Sequence, residues 1–335
     1  MTPEMVQCLL AWYGGNKRAL PWRDREPPSA YRTWVSEIML QQTRAEAVKP
    51  YYDRFLSALP TIDGLAEADE DQLLKLWEGL GYYSRVRNLK KAAQIVMREH
   101  NGVIPSDPAA LLRLPGVGLY TAGAVASIAY GVPVPAVDGN VLRVCARLFA
   151  DPSDIALDQT KREVSARLLR AMPQDRPGDF NQALMELGAC ICLPKSPNCA
   201  ACPLAGGCLA HAQGLEAQFP VKSPKKPRRI ERRHLLILRF EDKLALRRRP
   251  PKGLLASLWE LPAAFDVPPE LVLSRQPAGR STHIFTHIEW HMTAERVLLR
   301  APLEGDGLVW VTQAQLERGY ALPSAFAAFR GEMFL

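Results

Sequence analysis

Two-thirds of the way along the chain, a basic, proline-broken stretch separates two different hydrophobic periods, and that change limits the folds open to it. Residues 219–233 read FPVKSPKKPRRIERR, three prolines and seven basic residues against one acid. Such a composition predicts a solvated interdomain linker. Before it, apolar residues recur at three and four spacing, as in Tyr31, Trp34, Val35 and Ile38, or Val86, Leu89, Ala93 and Val96, which predicts consecutive short helices. After it, RRHLLILRF, KLALRRR, THIFTHIEWHM and ERVLLR are short, β-rich and separated by turns. The expectation is a mainly α domain over 1–218, a linker over 219–233 and a smaller α+β domain over 234–335. A chain of 335 residues is long enough for two cores.

Composition narrows the function classes less sharply. At 47% hydrophobic and 23% charged, the chain is not disordered, collagenous or membrane-embedded. It has no apolar run near the roughly 18 residues of a membrane span, and its start, MTPEMVQCLLAWYGG, lacks a basic leader and a small-residue cleavage site. A cytoplasmic location is expected. The net charge of +7 is local: residues 221–250 hold 12 basic and 3 acidic side chains, leaving the remainder close to neutral. Net charge alone therefore does not identify a nucleic-acid partner.

Four motifs carry chemistry. Cys192, Cys199, Cys202 and Cys208 stand as C-x6-C-x2-C-x5-C within 17 residues, near enough for four thiolates to converge on one centre. An iron-sulfur cluster, zinc and free thiols are the three readings. Cys8, Cys145 and Cys190 fall outside the pattern and read as packing residues. Leu114-Pro-Gly-Val-Gly118 predicts a tight hairpin between two helices, the first capped by Asp107 with Pro108 behind it. The second helix would offer backbone NH groups to a phosphate, with Gly116 and Gly118 allowing close approach; a plain helix-helix turn is the alternative. Glu37 borders an apolar stripe, where desolvation raises a carboxyl pKa and makes a general acid, unless the side chain is simply solvated. Asp138 precedes a helix, where a plain N-cap is the competing reading.

In combination, the LPGVG hairpin, the aspartate about twenty residues beyond it and the cysteine cluster resemble the helix-hairpin-helix DNA glycosylase superfamily that includes endonuclease III. Trp34-Val-Ser-Glu-Ile-Met-Leu-Gln-Gln-Thr43, Gly79-Leu-Gly-Tyr-Tyr83, Val137-Asp-Gly-Asn140 and a second C-terminal domain look like adenine DNA glycosylases of the MutY type. The resemblance spans essentially the whole chain. It implies a helix-hairpin-helix glycosylase fold with an iron-sulfur cluster loop at 190–210, followed by a Nudix-like α+β domain. It further implies a monomeric, monofunctional enzyme, associated with the nucleoid, that flips adenine out of pairs with 8-oxoguanine or guanine in double-stranded DNA and hydrolyses its glycosidic bond.

The same resemblance assigns residues. Glu37 would protonate adenine N7, Asp138 would stabilise the oxocarbenium-like sugar or trap it briefly, and Tyr120 and Asn140 would assist. Leu20, Trp22 and Arg23 of LPWR, with Gln182, would line the adenine pocket. Gln41, Gln42 and Tyr82 would wedge into the opened duplex, and Gly116 and Gly118 would meet DNA backbone. Phe285-Thr286-His287 stands where the family commonly has Phe-Ser-His to read 8-oxoguanine. Cys192, Cys199, Cys202 and Cys208 would hold a [4Fe-4S] cluster. Tyr120 occupies the place of the Schiff-base lysine of endonuclease III-like enzymes, so lyase activity should be weak or absent. The second domain lacks the glutamate-rich Nudix signature, which argues against a pyrophosphatase. The rival readings are a thymine-mismatch or oxidised-pyrimidine glycosylase on the same scaffold, a non-catalytic DNA-binding protein, and a zinc-stapled module.

Overall fold

The computed structural model describes residues 1–24, 27–224, 227–263, 266–305 and 307–335. Lys225 and Lys226 of the expected linker lie outside the described residues. By its contacts the chain divides into two units, one of Met1–Glu67 and Asn88–Pro224, the other of Ala68–Arg87 and Lys225–Leu335. Among the described residues no helix is long and apolar enough to cross a membrane.

Helices run in the expected order: α1 (Pro3–Asn16), α2 (Ala30–Leu40), α3 (Ala45–Ala58), α4 (Ile62–Glu67), α5 (Glu70–Leu76), α6 (Ser84–Glu99) and α7 (Pro108–Leu112). They continue as α8 (Leu119–Tyr130), α9 (Gly139–Leu148), α10 (Asp158–Ala171), α11 (Pro177–Cys190) and α12 (Leu209–Ala212). Local chemistry fixes the ends. Asp107 accepts from the amides of Ala109 and Ala110, with Pro108 at the first helical position, and Gly131 closes α8 in a left-handed turn at φ +67°. In the first unit α2 packs on α8, and α11 packs on α1, α8 and α9. Leu9, Val141, Cys145, Phe180 and Leu184 are fully buried between them.

The second unit is built on a six-stranded sheet: β1 (Arg229–Phe240), β2 (Lys243–Arg248), β3 (Trp259–Glu260), β4 (Val272–Ile284), β5 (Ile288–Leu299) and β6 (Leu308–Thr312), then α13 (Gln313–Gly319). The strand order is β3-β2-β1-β5-β4, with β6 on β2; β1 and β5 run parallel, β4 and β5 antiparallel. Strand β1 begins inside the basic stretch expected as linker, and this corrects its end: Arg229–Arg233 pair with Ile288–Met292 of β5. Arg229 and Arg232 stay exposed, while Arg233 gains buried partners. Glu260, 2% exposed, receives Arg233 at 3.5 Å, Arg247 at 3.2 Å and Arg249, while the Arg233 guanidinium lies 4.1 Å from the Trp290 ring centre. A cation paired and stacked in this way can be buried where a lone one cannot.

Candidate active site

Helix α2 buries eight of its eleven residues, so Glu37 has no solvated margin to occupy; it is 5% exposed. Tyr120, in the first turn of α8, donates its hydroxyl proton to Glu37 Oε2 and lies 3.8 Å from the sulfur of Met185. Burial pushes Glu37 up to about 7, with the nearby Asp138 charge adding to it and the Tyr120 hydrogen bond and Arg23 opposing. A carboxyl in that range holds a proton near neutrality and can give it up.

Asp138 is both a cap and a neighbour of Glu37. Its Oδ1 accepts from the Val141 amide at 2.8 Å and its Oδ2 from Asn140 Nδ2 at 2.8 Å. Burial raises its pKa, and these two hydrogen bonds work against that. Sequence reasoning missed the support behind this pair. Arg143 donates to Asn140 Oδ1 at 2.9 Å, to the Gly188 carbonyl at 2.7 Å and to the Cys192 carbonyl at 2.9 Å. Its only signal was its position one turn beyond Asn140. At Gly188 an added Cβ would sit 2.6 Å from Asn140 Cβ and 3.1 Å from its backbone. Gly188→Ala is therefore expected to push Asn140 off Asp138 and lower the single-turnover excision rate by about 10- to 100-fold, consistent with a sub-ångström misplacement; an unchanged rate would show that this spacing does not matter.

Of the residues expected to line an adenine pocket, Arg23 and Gln182 meet at α11. Gln182, Met185 and Glu186 share one helical face. Arg23, from the 3₁₀ turn Pro21–Arg23, donates to Gln182 Oε1 at 3.0 Å and to Glu186 Oε2 at 3.1 Å. Glu186, 1% exposed, also takes Arg18 Nε at 2.6 Å and Nη2 at 3.0 Å. Leu20 is buried, and Trp22 meets Tyr52 edge-on at 5.4 Å. Glu186 was legible in principle, since like Glu37 it is an acid inside an apolar helical run.

The hairpin is as expected. Gly116 sits at φ +77°, with Asn88 Cβ 2.8 Å from where its own Cβ would be, so only glycine fits. Gly118 caps α8 without a side-chain bond and faces open space. Gln41 ends α2 and donates to Thr121 Oγ1 at 3.2 Å; Gln42 is exposed in the left-handed region at φ +58°.

In the second unit, Phe285-Thr286-His287 forms the β4–β5 turn, closed by Phe285 N to Ile288 O at 2.8 Å. The Phe285 ring packs edge-on against Trp290 at 4.8 Å and His283 at 4.6 Å. Tyr82, 46% exposed at φ +47°, places its hydroxyl 3.3 Å from Thr286 Oγ1. Two residues singled out separately for DNA thus touch.

Cys192, Cys199, Cys202 and Cys208, all outside disulfides, line one cavity with Val144, Arg147 and Leu187. Arg147, 2% exposed, donates to Cys192 Sγ at 3.3 Å and to the carbonyls of Leu193 and Pro194. A buried cationic donor on the wall of a cavity lined by four thiols suits a thiolate-bound group. Cys199, His211 and Glu216 also gather within 4.8 Å, a mixed set that zinc could use.

Residues 35–174 match the HhH-GPD superfamily base excision DNA repair protein family, and residues 233–330 match the NUDIX domain. The chain is 33% identical to the adenine DNA glycosylase of Schizosaccharomyces pombe over 93% of its own length and 85% of that protein. It is 34% identical to the Homo sapiens adenine DNA glycosylase over 97% of this chain and 73% of the relative. With the Arabidopsis thaliana adenine DNA glycosylase it shares 37% identity but spans 58% of that protein's length. Among solved structures, a thermostable thymine-DNA glycosylase superposes with a TM-score of 0.56 at 29% identity, covering 62% of this chain and 95% of that one. A non-covalent endonuclease III–DNA complex gives 0.53 at 25% identity, over 64% and 99%.

Proposed function

This chain belongs to the adenine DNA glycosylases, and from that premise we propose that it hydrolyses the glycosidic bond of adenine paired with 8-oxoguanine or guanine in double-stranded DNA, without cleaving the strand. The observation that carries the reading is the pairing of buried Glu37, bonded to Tyr120, with Asp138 at the N-terminus of α9. Flipped adenine would lie against Leu20, Trp22, Arg23 and Gln182. Because Gln182 Oε1 already accepts from Arg23, its amide NH₂ is left to meet an acceptor on the base. Glu37, poised near neutrality, gives its proton to N7 and turns the base into a neutral leaving group. Asp138, held by Val141 and Asn140, stabilises the developing sugar cation and orients water or a transient adduct. Tyr120 in place of a lysine amine offers no Schiff base, so the strand stays intact.

Thr286 and His287, exposed at the β4–β5 turn beside Tyr82, would read the opposite base. His287→Ala is expected to narrow the preference for 8-oxoguanine over guanine about tenfold in single-turnover excision; an unchanged ratio would remove this turn from recognition. Cys192, Cys199, Cys202 and Cys208 would hold a [4Fe-4S] cluster that staples residues 190–210 and adds a redox-capable centre. Purified protein should be brown and carry iron; stoichiometric zinc in place of iron would favour the mixed site at Cys199, His211 and Glu216. The proposed setting is a monomer in the cytoplasm, acting on nucleoid DNA.

A further inference from the structure

The solvent face of the sheet in the second unit carries a basic groove that none of the roles above uses. Two rungs cross three strands there. Thr282 of β4 pairs with His291 of β5, which pairs with Arg232 of β1; Arg280 pairs with Thr293, which pairs with His234. Because side chains alternate along a strand, these six point away from the core formed by Leu235, Trp290, Met292 and Ala294. They line a groove of about 700 Å³ that has no acidic side chain among its described lining residues.

The further half of the same face is not open. Leu236, Leu238, Val297 and Leu299 are buried there with Val267 and Leu303. The open half holds cations and hydroxyls instead. Arg232 and Arg280 are exposed, and among the described residues no ion pair engages either, although Arg275 and Arg296 nearby are paired with Glu295 and Glu332. His234 shares a hydrogen bond with Thr293 Oγ1 at 2.9 Å. Two acids of β5 border the groove on this face and each has a partner: Glu289 is bonded to His291 at 2.7 Å, and Glu295 is paired with Arg275 at 2.9 Å.

We propose that this groove binds the phosphate backbone of duplex DNA, a few nucleotides from the base met by the β4–β5 turn. Charge complementarity chooses the occupant: two guanidinium groups that no ion pair engages among the described residues, flanked by hydroxyl and imidazole donors, match a row of phosphates. Continuity places it. His291 and Thr293 lie four and six residues beyond His287 on one strand, about 13 and 20 Å at the rise of a β-strand, which is about four to six nucleotide steps along one DNA strand. The inference rests on DNA as the substrate but not on adenine as the excised base.

The test uses the full chain with Arg232→Glu/Arg280→Glu and, as the milder pair, Arg232→Gln/Arg280→Gln. Binding to an undamaged duplex and to one holding adenine opposite 8-oxoguanine is measured across a series of potassium chloride concentrations. Loss of two phosphate contacts lowers the slope of log affinity against log salt by about 2 and weakens binding about tenfold or more at low salt, with the Gln pair shifted less in the same direction. Trimming the duplex to three base pairs on the contacted side of the mispair abolishes the difference between variant and parent. Single-turnover excision at saturating enzyme stays at the parent rate, which separates this groove from the catalytic reading. Unchanged affinity and slope in the Glu pair overturn the proposal, whatever the excision assay gives, and so does a difference that survives trimming on both sides.

Discussion

Replacing Glu37 by Gln is expected to abolish adenine excision, a fall of about 10²- to 10⁴-fold or more, while duplex binding remains and the fold becomes more stable in alkaline buffer. The side chain is 5% exposed and its pKa stands at about 7 against an ordinary 4.5, chiefly through burial. A carboxyl raised in this way contributes stability that is fully present below about pH 4.5 and lost as pH rises through about 7. By pH 8 that loss is about 3 kcal/mol. Gln carries no charge to desolvate, so its variant should resist urea better than the parent at pH 8 and equally at pH 4. The excision rate of the parent should fall as pH rises through about 7, since the reaction consumes the proton on Glu37. Appreciable turnover by the variant, or lower stability at pH 8, would remove Glu37 from the role of buried acid.

Glu186→Ala should be the most damaging substitution for the fold of the first unit. Burial alone would raise the Glu186 pKa, but the Arg18 hydrogen bonds and the Arg23 and Arg18 charges outweigh it and hold the carboxyl down at about 2. Removing it leaves Arg18 and Arg23 facing a buried gap, a loss of about 3 to 5 kcal/mol by the usual cost of breaking a buried pair. It also frees Arg23, which orients Gln182. The sign with pH is opposite to that of Glu37. A depressed carboxyl contributes stability that is present above about pH 4.5 and lost as pH falls through about 2. Parent stability should therefore drop by about 3 kcal/mol between pH 5 and pH 2 on account of this group, a drop the Ala variant lacks. Urea denaturation at pH 7, pH 5 and pH 2 measures both; an Ala variant within about 1 kcal/mol of the parent at pH 7 would show that the network is not structural.

Much of this was legible in the sequence, for identifiable reasons. Helix-spaced apolar residues, Asp107-Pro108 and the two glycines of Leu114–Gly118 act locally, so they mark the helices and the hairpin without tertiary knowledge. Glu37 stood out because a carboxylate among Trp34, Val35 and Ile38 is anomalous anywhere. What escaped depends on long-range contact. Arg143 reaches three partners 3 to 49 residues away, and Arg18 meets Glu186 across 168 residues. The contact of Tyr82 with Thr286, and the packing of α5 on α13, join segments more than 200 residues apart. The end of the basic stretch escaped for a related reason: charge density says solvent, but Glu260 and Trp290, tens of residues later in sequence, both meet Arg233.

In the proposed reaction Glu37, Asp138 and Tyr120 remove adenine from a mispair and leave the strand whole. Single-turnover assays on duplexes holding adenine opposite 8-oxoguanine, adenine opposite guanine, thymine opposite guanine and an oxidised pyrimidine, each with and without alkali, test it most directly. Strand cleavage only after alkali, and only at the two mispaired adenines, is the predicted result. Excision of thymine or of the oxidised pyrimidine, or breaks that appear without alkali, would contradict it.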